Sequence, residues 1–116
     1  MKVISLSEGQ TRAITDFGSR RATAVRCGDG AGEAHVYCLR FEPGGMIGPH
    51  PAGYGQLLFV VSGSGWAAGE DGRRVDLGEG QAAHFDRGEV HSKGSESGMT
   101  AIMVQVSDLR PPGPED

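Results

Sequence analysis

The stretch Gly44-Gly45-Met46-Ile47-Gly48-Pro49-His50-Pro51-Ala52-Gly53-Tyr54-Gly55-Gln56-Leu57-Leu58-Phe59-Val60-Val61-Ser62-Gly63 reads as a glycine-rich approach, a histidine and an apolar strand closed by a glycine. Side chains alternate across a strand, which sets Gln56, Leu58 and Val60 on one face and Leu57, Phe59 and Val61 on the other. Both faces are apolar. Such a strand must be covered twice, by the interior of a sandwich or barrel and by something outside it. A second subunit is the expected outer cover, which makes a homodimer. The alternative is that residues 1–28 wrap that face within one chain.

Working outward, short strand-like runs recur between turn signals: Lys2–Leu6, Arg21–Cys27, Ala34–Phe41, Gln56–Ser62, Gly65–Gly69, Arg73–Leu77, Gln81–Phe85, Glu89–Ser92 and Met99–Val106. Turns are expected at Asp29-Gly30, Pro43-Gly44-Gly45, Ser62-Gly63-Ser64-Gly65 and Glu70-Asp71-Gly72. Twenty glycines argue against helices, because each costs about 1 kcal/mol relative to alanine inside one. No long apolar stripe of helical period appears, though Ser7–Asp16 has room for a short helical turn. An all-β sandwich or small barrel follows.

At 116 residues the chain is of ordinary size for one domain, 1–116, with a barrel core over 30–106. The tail 110–116, Arg-Pro-Pro-Gly-Pro-Glu-Asp, has no apolar anchor and is expected to be loose. The net charge is −4 and the basic residues are scattered, so no cationic stripe offers itself to nucleic acid. The longest apolar stretch, Leu57 to Val61, is too short for a membrane span, and the N-terminus has no apolar signal core. A cytoplasmic protein with no membrane partner is expected. Cys27 and Cys38 are too few for a disulfide framework and are expected to be reduced and packed as small hydrophobes.

A second segment extends the reading: Gly80, Asp86, Gly88 and His91 follow one another at offsets of six, two and three residues. Together with Gly44, His50, Ala52, Gln56 and Gly63 it resembles the two-part cupin signature, G-x5-H-x-H-x3-E-x6-G followed by G-x5-P-x-G-x2-H. Every spacing fits. The second histidine is replaced by Ala52, the glutamate by Gln56 and the turn proline by Asp86. The segment from Gln56 to Trp66 is also similar to bacterial cupins of the hydroxynitrile lyase type, in which the glutamine and three histidines surround manganese or a related ion. The resemblance covers roughly Glu33 to Gln105. It implies a cupin-type antiparallel β-barrel, or jelly roll, with His50 and His91 on facing strands around one cavity and Gln56 beside them.

Two neutral imidazoles and an amide oxygen can hold a divalent transition metal, here Mn, Zn, Ni or Fe, with positions left open for substrate. Fewer donors and no carboxylate mean looser binding of a stronger Lewis acid. His50 and His91 are thus candidate metal ligands with Gln56, and candidate catalytic groups with Tyr54, whose phenol would need a depressed pKa to act in proton transfer. Tyr37, Leu39 and Phe41 share one strand face and, with Leu58 and Met103, are the expected apolar lining for a small organic ligand. His35 on that face is expected to be structural. His84 is expected on the outside or at an interface, and Asp86 in a turn held by its own side chain. Trp66 is expected to pack after a hairpin turn.

Three functions are compatible with these residues. A metal-dependent enzyme of lyase, isomerase or oxygenase type is the first. A metal-free cyclase or epimerase with a histidine base is the second, and a ligand-binding module without turnover the third.

Overall fold

The computed structural model describes residues 1–7 and 11–112. Ten strands run in order: β1 (Lys2–Ser5), β2 (Thr11–Ala13), β3 (Thr23–Val25), β4 (Asp29–Phe41), β5 (Met46–Pro51), β6 (Gly55–Ala68), β7 (Arg74–Gly78), β8 (Gln81–Phe85), β9 (Val90–Gly94) and β10 (Met99–Arg110). Among the described residues there is no α-helix, only a 3-10 turn at Asp16–Gly18, and no helix is long and apolar enough to cross a membrane. The helical turn expected over Ser7–Asp16 is replaced at Thr11–Ala13 by β2, which pairs with β3, while residues 8–10 lie outside the described set.

Eight strands form one antiparallel hydrogen-bonded surface that β6 divides into two. The first half of β6 pairs with β10 and β8, and its second half with β7 and β9. β4 lies beyond β10, β1 beyond β8, and β5 beyond β9. The expected turn at Ser62-Gly63-Ser64-Gly65 is therefore a correction: the chain does not reverse there. Gly63 sits at φ 78°, in the left-handed region that glycine reaches without strain, and the register with β10 slips between Thr100 and Ala101. A β-bulge bends β6 from one sheet to the other, and Trp66 lies within the strand, buried, with the Arg74 guanidinium 3.7 Å from its ring centre. The expected turn at Asp29-Gly30 is likewise inside a strand, opposite a register shift in β10. The Glu70-Asp71-Gly72 turn is present, with Gly72 at φ 71° and the Asp71 carboxylate accepting from the Arg73 amide.

Strand register sorts the side chains. The rows Tyr37–Met103–Leu58–Ala83 and His35–Gln105–Gln56–Phe85 run across β4, β10, β6 and β8 on the inner face. Leu58, Val60, Ala67, Leu77, Ala83, Phe85, Met99, Ala101 and Met103 form the buried core, with Phe41 at its edge. The outer face carries Val36–Val104–Leu57–His84 and Cys38–Ile102–Phe59–Ala82. Its β6 and β8 end is covered: Leu57, Ala82 and His84 are buried, and the Leu57 side chain lies close to Gly28. Its β4 end is open, with Val36 66% exposed and Cys38 exposed too, so the expectation of a packed Cys38 is corrected. Of the tail, Arg110 belongs to β10, while residues 113–116 lie outside the described set.

Candidate functional site

His50 ends up on β5 and His91 on β9, and the two are Cα partners in the β5–β9 ladder. Directly opposed side chains of an antiparallel pair are neighbours. Their ring centroids are 4.6 Å apart. The expected facing strands are in fact adjacent ones, and the pair forms one wall of the site. Local backbone bonds fix this wall: the Ala52 amide donates to Glu89 O, and the Gly88 amide to Ala52 O. Ala52, in the position of the missing histidine, is buried.

The two imidazoles differ in environment. His50 is exposed, and its Nδ1 lies 2.8 Å from Gly48 O. A carbonyl only accepts, so Nδ1 carries the hydrogen, and in the neutral ring Nε2 keeps a free lone pair. His91 is 1% exposed, packs its ring 4.5 Å from that of Phe85, and has no hydrogen-bond partner at either ring nitrogen. Burial, with the charges of Lys93 and His50 adding to it, pushes its pKa down to about 4. His91 is therefore a neutral, dehydrated imidazole.

Gln56 comes from the other sheet, on the inner row beside Phe85. Its Oε1 accepts a 3.1 Å hydrogen bond from Lys93 Nζ, which also lies 3.7 Å from Met103 Sδ and 5.3 Å from the Phe85 ring centre. Lys93 is the candidate that the sequence reading did not single out. It stands two residues after His91 on β9, and a period of two puts both on one face; the expected strand ended at Ser92 and hid the relation. Lys93 is 1% exposed, and burial pulls its ammonium pKa down to about 8.

The remaining candidates lie nearer the open edge. The Tyr54 hydroxyl donates to Glu33 Oε2 at 2.9 Å, and the same oxygen lies 2.7 Å from His35 Nε2. His35 stacks between Tyr37 and Tyr54, at 6.3 and 5.8 Å. The bond to Glu33 raises the Tyr54 pKa, the opposite of the depression that its expected proton-transfer role requires. Tyr37 is 48% exposed because β4 is an edge strand, so it belongs to the rim and not to the expected wall. Leu39 packs against the core, while Phe41, Leu58 and Met103 are buried in it. His84 is on the outer face as expected but buried, with its Nδ1 3.8 Å from the Asp86 carboxylate. In the turn, the Glu89 side chain, and not that of Asp86, accepts from the Asp86 amide.

Whether these donors suit a metal turns on the orphaned nitrogens. Two imidazoles with free lone pairs fit a divalent transition ion, and the Gln56 oxygen retains a second lone pair beside the one facing Lys93. The Lys93 ammonium opposes such an ion. Among the described residues no group of three or more His, Cys, Asp or Glu converges, which follows from Ala52 and Gln56 standing in two of the four family positions.

An (R)-mandelonitrile lyase from Granulicella tundricola is 36% identical over 69 residues, which are 58% of this chain and 53% of that protein. This chain thus spans about half the length of that relative. A cupin-like protein from Thermotoga maritima superposes with a TM-score of 0.61 at 23% identity, covering 69% of this chain and 65% of that one. A cupin superfamily protein from Desulfitobacterium hafniense gives 0.61 at 12% identity over 92% and 79% of the two chains. The solved structures share the fold. The Cupin domain family model matches residues 37–107, which contain β5 to β9 and all four residues of the site, and the chain belongs to the cupin family.

Proposed function

We propose that the chain binds a small organic molecule at His50, Gln56, His91 and Lys93 and transforms it by proton transfer, as a lyase or isomerase. The observation that carries this reading is the imidazole pair, one ring anchored and exposed, the other neutral and dry. His50 Nε2 is the base: its tautomer is fixed by Gly48 O, and it reaches solvent, so it can release the proton that it takes. Gln56 and Lys93, both buried, orient the substrate oxygen through N–H donors away from bulk water, where such bonds are strongest. The resemblance to a mandelonitrile lyase supports the lyase side of this choice.

In a second form of the proposal a divalent transition metal, Mn, Zn, Ni or Fe, is held by His50, His91 and Gln56; the ion would then take the His50 Nε2 lone pair, and His50 serves as base only in the metal-free form. When bound, the ion would supply Lewis-acid polarisation of a carbonyl or hydroxyl oxygen. A metal-free version is favoured by one specific contact, Lys93 on Gln56, because a buried ammonium provides positive charge of its own. Melting temperatures with and without each ion separate the two. An ion that binds only the folded chain stabilises it by about 2.7 kcal/mol at one hundred times its Kd. A rise of several degrees in the wild type that is absent in His91→Ala is the expected result. A wild-type curve unmoved by all four ions leaves the metal-free site.

A second copy of the chain is the proposed occupant of the open outer face at Val36 and Cys38.

A further inference from the structure

Lys93 is a charged group buried without a counter-charge. Among the described residues no carboxylate pairs with it: Glu33 is engaged by His35 and Tyr54, and Glu89 by the N-terminal ammonium and the Asp86 amide. An ammonium has three N–H donors. Here they meet one oxygen, Gln56 Oε1, and one thioether, a weak acceptor. The two nitrogens of neighbouring His91 are without partners as well. Burying a charge in this way costs several kcal/mol, and a chain that keeps the arrangement has a use for the unmet donors.

We propose that the small molecule taken by this site is an organic anion, a carboxylate with an apolar body, and that Lys93 selects it. This rests on the site reading above and adds the substrate class. One carboxylate oxygen is received by Lys93 Nζ and the other by the N–H of His91, a two-point contact that a neutral amide of the same shape cannot match in charge. The surroundings of Lys93 Nζ are otherwise apolar, with the Phe85 ring centre at 5.3 Å and Met103 Sδ at 3.7 Å, which suits a guest with an apolar body. The inference holds with or without a metal, since an ion at the imidazoles would favour an anionic guest further.

The test is a 15N-labelled full-length chain titrated with benzoate and phenylacetate, and in parallel with benzamide and phenylacetamide, at constant ionic strength. The expected result is saturable shifts at Gln56, His91 and Lys93, with each acid bound at least tenfold more tightly than its amide. Lys93→Met removes that preference while keeping the dispersed spectrum of the folded chain, and Lys93→Gln serves as the second variant if the first fails to fold. Amides that bind as tightly as acids at the same residues, or a Lys93→Met chain that still prefers acids, overturn the anion assignment and leave the site reading standing. No saturable shift at His50, Gln56 or His91 with any of the four compounds overturns both.

Discussion

His84 shows at a single residue how burial without a partner becomes a condition for stability. It is 3% exposed, its Nε2 has no partner, and desolvation lowers its pKa; Lys2 and the N-terminal ammonium act in the same direction, with Asp86 and Glu89 opposing. The unfolded chain therefore binds a proton at His84 at a higher pH than the folded chain does. Stability is unaffected by this group above about pH 6.5 and falls as the pH drops below it, by about 1.4 kcal/mol for each unit of depression. Denaturant unfolding at pH 7 and pH 5 checks this: His84→Leu is expected to lose less stability over that interval than the wild type. Equal losses would contradict it. His50, Gln56 and His91 were legible in the sequence as candidates because fixed offsets from glycines carry their positions. Lys93 was not, since lysine on a strand is ordinarily solvated, and only its register beside His91 reveals that it points inward.

The elements that were misread share one cause. Ser62-Gly63-Ser64-Gly65 has the composition of a hairpin turn, and its local chemistry permits one, but β6 gains more by pairing with β10 on one side of Gly63 and with β7 and β9 beyond it. A Cβ at Gly63 would come 2.3 Å from Gly98 O, so the glycine is required by a close approach of backbones and not by a reversal. Met46–Pro51, with three of its six residues glycine or proline, reads as loop. It forms β5 because β9 supplies its partners, with a register break between Ile47 and His50. Nonlocal pairing decides both cases, and single-sequence patterns do not contain it. The apolar alternation in β6, by contrast, separated the two faces as the register does, with Gln56 and Leu58 on the inner rows and Leu57 and Phe59 on the outer ones.

At the scale of the whole molecule, the outer face of the two-faced apolar strand is covered in part. The N-terminal part of the chain reaches the Leu57 end of the outer face, through Gly28, as the single-chain alternative expected. At the β4 edge Val36 and Cys38 remain in solvent, and Val61 is 55% exposed. Apolar side chains in one face of an edge sheet are where a second copy would pack. Light scattering is expected to give twice the 12.1 kDa chain mass, falling to the monomer value in a Val36→Lys variant. A monomer in the wild type would assign that face to solvent.

The two halves of the signature must meet if there is to be any site, and a cross-link reports this directly. His50 and His91 are opposed in the ladder, and opposed residues of antiparallel strands have Cα atoms about 4.5–5.5 Å apart, within reach of a disulfide. In a His50→Cys, His91→Cys chain, mild oxidation followed by peptide mapping is expected to find positions 50 and 91 joined, with Cys27 and Cys38 free. Thiols at 50 and 91 that stay reduced in the folded, oxidised chain, or that pair with Cys27 or Cys38 instead, would contradict the convergence of the two imidazoles.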